Sequence, residues 1–195
     1  ASLCRQLALP YHEATLNADA LAHAPGGLED AARRARYVFL CRTARRAVYN
    51  EAGREQVPLI AVAHNMEDQA ETLLLNLIRG SGLRGLGGMR WRTRLTWPGQ
   101  TPADRCDDSN PAWLIRPLLN IRRSEIEAFL IGRNLDWCED SSNKELHFSR
   151  NLLRHQMLPQ LTTINPNIVV TLARTAQIVA DDVQRLEQID YALMA

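Results

Sequence analysis

Lysine is almost missing from this chain: Lys144 is the only one among 23 basic residues, so nearly all the positive charge is arginine. Paired cysteines are missing too. Cys4, Cys41, Cys106 and Cys138 stand far apart with no C-x-x-C, which excludes a zinc knuckle or a dithiol redox pair and leaves unpaired thiols. No apolar run approaches the ~18–20 residues of a membrane helix, so a cytoplasmic protein with no membrane partner is expected. Internal repeats and low-complexity segments are absent, and no His/Cys/Asp/Glu spacing calls for a metal site. What remains is the mix of an ordinary globular protein, with 46% hydrophobic and 23% charged residues in 195. That length fits one domain and a short appendage.

The net charge of +1 conceals clustering. Arg33, Arg34, Arg36, Arg42, Arg45 and Arg46 form one block, and Arg79, Arg84, Arg90, Arg92 and Arg94 another with no acid inside it. Guanidinium groups match phosphate oxygens, so a phosphate-bearing partner is one reading; an arginine-favouring genome is the other. Both ends read as interior to a longer protein. Ala1 stands where methionine would, in what looks like the tail of an amphipathic helix carrying Leu3 and Leu7, and the last helix runs into Ala195 without a stop signal.

Between the ends, residues 10–15 suggest a short strand and 28–52 a long helix closed by Gly53. The continuous apolar run VPLIAVA (57–63) reads as a parallel strand buried on both faces. Strand, helix, strand makes a βαβ unit and an α/β fold. A helix over 67–79, a glycine-rich stretch over 80–88, strands at 89–97 and 113–118, and helices at 122–132 and 148–161 follow. After Asn165-Pro166 the spacing of Val169, Leu172, Ala176, Val179, Val183 and Leu186 predicts a long helix with an apolar seam. Residues 1–165 are thus expected to form one domain and 166–195 to begin a helical linker.

Three segments carry candidate chemistry. HNMEDQAET (64–72) leaves a strand end and opens a helix, the place where ligands sit in open parallel sheets. Its spacing predicts Ala70, Leu73, Leu74, Leu77 and Ile78 on the core side, with Asp68, Glu71 and Arg79 facing solvent. Beside His64, two such carboxylates could hold and deprotonate an amine, although acids in a first turn also simply complement the helix dipole. Gly80, Gly82, Gly85, Gly87 and Gly88 are half of the ten glycines, and let backbone approach a ligand closely or merely turn; the run is not expected to be a phosphate loop. Arg150, Asn151 and Arg154 share one helical face, able to clamp phosphates, read a base edge or stay solvated.

ARRARY (32–37), AHNMEDQAETLLLNLIRGSGLRGLGGM (63–89), IRPLL (115–119), and WCEDSSN, FSRNLLR and LP (137–159) occur in one order and spacing. Together they resemble the tRNA(Ile)-lysidine synthetase family of PP-loop ATP pyrophosphatases, over residues 3–186. The resemblance implies a Rossmann-like, parallel-sheet adenine-nucleotide alpha hydrolase-like (HUP) fold lacking its amino-terminal strand, and hence poor stability. It implies ligation of L-lysine to C2 of the wobble cytidine of tRNA(Ile) with a CAU anticodon, using ATP with Mg2+. It casts Asp68 and Glu71 as the lysine-holding pair with His64 beside them. Arg33, Arg36, Arg79 and Gly80 fall on the nucleotide side, while Arg150, Asn151 and Arg154 contact tRNA, and a homodimer is admitted. The family's S-G-G-x-D-S phosphate loop belongs upstream of Ala1, so this piece alone is expected to be inactive. Glu67 stands where the family usually has aspartate. A PP-loop tRNA thiolase would need sulfur-carrying cysteines that are not paired here, and a non-catalytic tRNA-binding remnant is the alternative from another class.

Overall fold

The computed structural model describes residues 1–16, 27–50, 57–95, 112–137 and 149–194. These fall in two units, Ala1–Ile60 with Thr93–Ile115, and Ala61–Arg92 with Arg116–Ala195.

The first unit opens with the short helix α1 (Ser2–Gln6), with Leu3 and, just past its end, Leu7 exposed. Residues 10–16 form no strand, contrary to expectation, and are exposed throughout. The long helix is α2 (Gly27–Asn50), which buries Ala31, Tyr37 and Cys41 along one side. Gly53, expected to close it, lies outside the described residues. Arg33 and Arg36 point to solvent, with the Arg33 guanidinium 5.2 Å from the Tyr37 ring centre. Neither Cys4 nor Cys41 forms a disulfide, while Cys106 and Cys138 lie outside the described residues.

Strands β1 (Leu59–Ala61), β2 (Arg92–Leu95) and β3 (Ala112–Ile115) pair in the order β1-β3-β2. The Pro58 carbonyl, just before β1, accepts from Trp113 N at the start of β3, so these two run in the same direction. Trp91, just before β2, accepts from Arg116 N just past β3, so β2 runs the opposite way. The α/β reading therefore holds, with a mixed rather than purely parallel sheet. The VPLIAVA run is not buried on both faces: β1 is three residues long, and Leu59 and Ala61 are exposed while Ile60 is buried. Only the face carrying Ile60 is covered.

The second unit is helical: α3 (Met66–Ile78), α4 (Leu83–Leu86), α5 (Arg123–Gly132), α6 (Ser149–Leu152), α7 (Leu158–Ile164) and α8 (Ile168–Met194). A π-helical turn, Leu153–Met157, joins α6 to α7. Its i→i+5 pattern brings residues five apart onto one face. Leu153 and Leu158 thereby both reach Ala70 and Leu74 of α3, and Val169 and Leu172 of α8 pack around them. Of the apolar seam expected on α8, Ala176 and Val183 are buried and Val179 is half-buried, while Leu186 is 51% exposed and Ala180, outside the expected seam, is buried.

Candidate functional site

Helix α3 begins where its sequence says it should. Asn65 caps it: the Asn65 side chain accepts from Asp68 N at 3.0 Å, and Asp68 Oδ2 accepts from Asn65 N at 2.9 Å. Asp68 is therefore half of a capping box and keeps one carboxylate oxygen, Oδ1, for other use. The turn is also clamped to the segment before α5. Met66 N donates to the Ile121 carbonyl at 3.0 Å, and Arg123 N, the first of α5, donates to Glu67 Oε2 at 2.9 Å. Glu67 thus satisfies one of the amides that a helix start leaves open, in a helix 56 residues away.

The expectation that both acids face solvent fails at Glu71. Its side chain has 0% exposure, and that of Asp68 only 18%. Arg154 makes such burial tolerable. Its Nε donates to Glu71 Oε1 at 2.6 Å, while Nη2 reaches Glu71 Oε2 and Asp68 Oδ1, each at 3.0 Å. Arg150 Nη2 donates to Thr72 Oγ1 at 3.0 Å, and its Nε lies 4.0 Å from Glu71 Oε2. Two carboxylates thus meet two guanidinium groups, a neutral set that can leave water where a lone charge could not. Burial still raises the Glu71 carboxyl above its ordinary value, with Asp68 adding to the rise and the arginines opposing it. For Arg154, burial acts downward, but the bonds and charges of Glu71 and Asp68 outweigh it and raise the guanidinium further.

The other face of α3 also departs from the helical-wheel reading. Leu77 and Ile78, expected in the core, are 58% and 62% exposed, while Gln69, not expected there, is 3% exposed. The Gln69 amide bonds both main-chain groups of Met89: Nε2 donates to the carbonyl at 3.0 Å and Oε1 accepts from N at 2.8 Å. The glycine-rich segment is thereby tied to the helix that carries the acids. At Gly88 φ is +59°, and a Cβ would lie 2.8 Å from Gln69 Oε1. Residues 80–85 spell G-x-G-x-x-G. They follow a helix rather than a strand, so they are not a dinucleotide fingerprint.

A cavity of about 460 Å³ opens over the acids. Asp68, Glu71 and Arg154 line it together with Glu67, Arg123 and Glu127, and Leu118, Ile126, Leu130, Leu158, Val169 and Trp137 supply an apolar wall. An elongated molecule with a cationic end and an aliphatic stem suits this lining.

His64 is half-buried just before the cap, and Asn151 is buried at 9% exposure within α6. Arg79 caps the carboxyl end of α3 and is exposed, and Gly80 takes φ +72° with open space where a Cβ would be. Arg33 and Arg36 belong to the first unit. Of the expected site residues, the structure joins Asp68, Glu71, Arg150 and Arg154 by direct contacts.

A PP-loop domain model matches residues 1–161. The chain belongs to the PP-loop family. It is 40% identical over 176 residues to the tRNA(Ile)-lysidine synthase of Pseudomonas aeruginosa, covering 90% of this chain and 33% of that relative. It is 39% identical over 155 residues to the tRNA(Ile)-lysidine synthase of Geobacter sulfurreducens, covering 80% and 28%. The chain therefore spans about a third of the length of such relatives. Among solved structures, a U34-tRNA thiolase from Methanococcus maripaludis superposes with a TM-score of 0.53 over 92% of this chain and 54% of that one. At 15% identity that likeness concerns the PP-loop fold alone. Among the described residues no helix is long and apolar enough to cross a membrane.

Proposed function

We propose that this chain is catalytic-domain sequence of a tRNA(Ile)-lysidine synthase, in which Asp68 and Glu71 hold the incoming lysine. The observation that carries the reading is the acid pair beneath a cavity with an apolar wall. An ammonium entering there meets carboxylates already desolvated by the fold, and its four-carbon stem lies along Ile126, Leu130 and Leu158.

The chemistry asks for such a place. Lysine's ε-amine attacks only when neutral, and its free pKa is about 10.4, so a carboxylate must take the proton as attack begins. The nitrogen bonds to C2 of the wobble cytidine, the C2–O bond breaks, and AMP leaves with the oxygen; the prior adenylation of that oxygen consumes ATP and releases pyrophosphate. A burial-raised Glu71 is a better proton acceptor than an ordinary carboxylate, and Asp68, tied to the helix cap, is better suited to orientation. The sequence contains no S-G-G-x-D-S run, and Arg33, Arg36, Arg79 and Gly80 are proposed to lie on the nucleotide side.

Arg150, Asn151 and Arg154 are proposed to meet the tRNA. Arg154 reaches it only by loosening its hold on the acids. His64 is proposed as a neighbour of the bound amine. The reading includes ATP with Mg2+, L-lysine, tRNA(Ile) with a CAU anticodon, a homodimer and a cytoplasmic setting. The 40% identity to a synthase over 90% of the chain favours it over sulfur transfer, since the thiolase likeness extends to the fold only.

The test is incorporation of isotope-labelled lysine into transcribed tRNA(Ile) by the complete enzyme. Replacing Asp68 by Asn together with Glu71 by Gln should lower incorporation by at least ~100-fold, the usual scale for losing a positioned base. Unchanged incorporation would sink the reading.

A further inference from the structure

The second arginine block is not used by the lysine site. Its middle part, Gly85 to Trp91, has an unusually well-fixed main chain. Asn76 Nδ2 donates to the Gly85 carbonyl at 2.7 Å, and Gln69 holds Met89 from both sides. Arg116, 7% exposed, donates from Nη1 to the Arg90 carbonyl at 2.6 Å, and its own N donates to the Trp91 carbonyl at 2.9 Å. Gly87 lies against α8 so closely that a Cβ would stand 3.1 Å from Ala180 Cα.

From this fixed backbone the long side chains project outward. Arg84 is 82% exposed and Arg90 41% exposed, and their Nη2 atoms meet over one carboxylate, Glu187, at 3.2 and 3.5 Å. Trp91, next to Arg90, is 57% exposed. Two guanidinium groups gathered over one carboxylate, with an exposed indole next to one of them, place phosphate-matching donors beside a stacking face.

We propose that Arg84 and Arg90 clamp the phosphate backbone of single-stranded RNA and that Trp91 stacks on one of its bases. This rests on the reading above that the partner is an RNA. Paired guanidinium forks match phosphate oxygens, and an indole face accepts any base. Glu187 keeps the two arginines together in the absence of RNA. Exposed ion pairs are weak, so it yields them readily to a phosphate. The anchored main chain means that little ordering is lost on binding. Because Gln69 ties this platform to the helix bearing Asp68 and Glu71, RNA held here has a fixed relation to the acids.

Titrating this chain into a fluorescein-labelled RNA hairpin with a single-stranded loop, at several salt concentrations, tests the proposal by fluorescence anisotropy. Arg84→Ala with Arg90→Ala should weaken binding at low salt by at least about tenfold and reduce the salt slope of log K by roughly 1.4, at ~0.7 per phosphate on a single strand. Trp91→Ala should weaken binding by about tenfold and leave the slope unchanged. Glu187→Gln should tighten binding. If the alanine pair is poorly folded by circular dichroism, Arg84→Lys with Arg90→Lys should retain the slope and lose affinity. Slopes equal in wild type and the alanine pair, absence of RNA binding by the wild type, or a preference for an acidic peptide over the hairpin overturns the proposal. No lysine or ATP enters the assay, so a failed lysine site leaves its outcome intact.

Discussion

Replacing Arg154 by methionine keeps the aliphatic stem and removes the guanidinium from a carboxylate with 0% exposure. Breaking a buried pair by deleting one partner costs about 3–5 kcal/mol, because the remaining charge is left uncompensated. The lower end applies here. Arg154 is itself 27% exposed, and Arg150 remains 4.0 Å from Glu71. A loss of about 3 kcal/mol at neutral pH, with a urea m-value of about 2 kcal/mol/M, moves the unfolding midpoint down by ~1.5 M.

The pH dependence identifies the cause. Glu71 already lies above its ordinary value in the fold, and removing Arg154 takes away the strongest opposing influence, so the carboxyl rises further. A folded acid with a raised pKa binds more protons than the unfolded chain, so stability is present at low pH and is lost as pH rises from the ordinary carboxylate range through the folded value. The penalty of Arg154→Met should therefore be large at about pH 8 and mostly gone near about pH 4.5, where Glu71 is protonated. Adding Glu71→Gln should restore all but ~1 kcal/mol of the neutral-pH loss, since the variant then buries no unpaired charge. Urea titrations followed by circular dichroism at both pH values measure this. A loss of equal size at the two pH values, or a double variant no more stable than the single one, would mean that packing rather than charge holds Arg154 in place.

Gln69→Ala removes both side-chain bonds to Met89 and should cost ~2 kcal/mol, at about 1 kcal/mol per bond. Hydrogen exchange should show the Met89 amide losing protection while amides late in α8 keep theirs. Asn65→Ala deletes the cap of α3 and should cost ~1 kcal/mol, read as a melting temperature lower by about 2–4 °C in a chain of this size. It should also loosen Asp68, so lysine incorporation by the complete enzyme should show a raised KM with kcat nearly kept; an unchanged KM would count against Asp68 as an orienting group.

Much of the fold was legible because the relevant signals are local. The helix expected over 67–79, the break at Asn165-Pro166 and the long helix after it each depend on neighbours within a few turns, and each appears close to where the sequence places it. The errors arose where burial depends on distant chain. VPLIAVA reads as a strand covered on both faces, yet whether each face of a strand is covered is decided by what packs on it from elsewhere in the chain, not by its own residues. Leu77 and Ile78 fall on the apolar arc of the α3 wheel but lie past the point where α3 is covered. The π-helical turn at Leu153–Met157 has no composition of its own, and only the need to place Leu153 and Leu158 on one cluster reveals it.

The candidate site shows the same division more sharply. The place of Asp68 and Glu71 in the first turns of a helix after a strand end was readable, but their surroundings were not, because the groups that decide them lie far along the chain. Glu71 meets Arg154 across 83 residues, Glu67 meets Arg123 across 56, and Gln69 meets Met89 across 20. Arg154 was legible only as one of a surface trio, since an arginine on a polar helical face looks the same whether water or a buried carboxylate awaits it. A helical wheel assigns faces as polar or apolar and has no category for a buried neutral ion cluster. Such a cluster can be recognised in a sequence only by pairing acids with arginines on separate elements. The excess of arginine over lysine is the one compositional hint, because the planar fork of Arg154 spans Glu71 and Asp68 at once, which a lysine ammonium on a similar stem could not do with the same geometry.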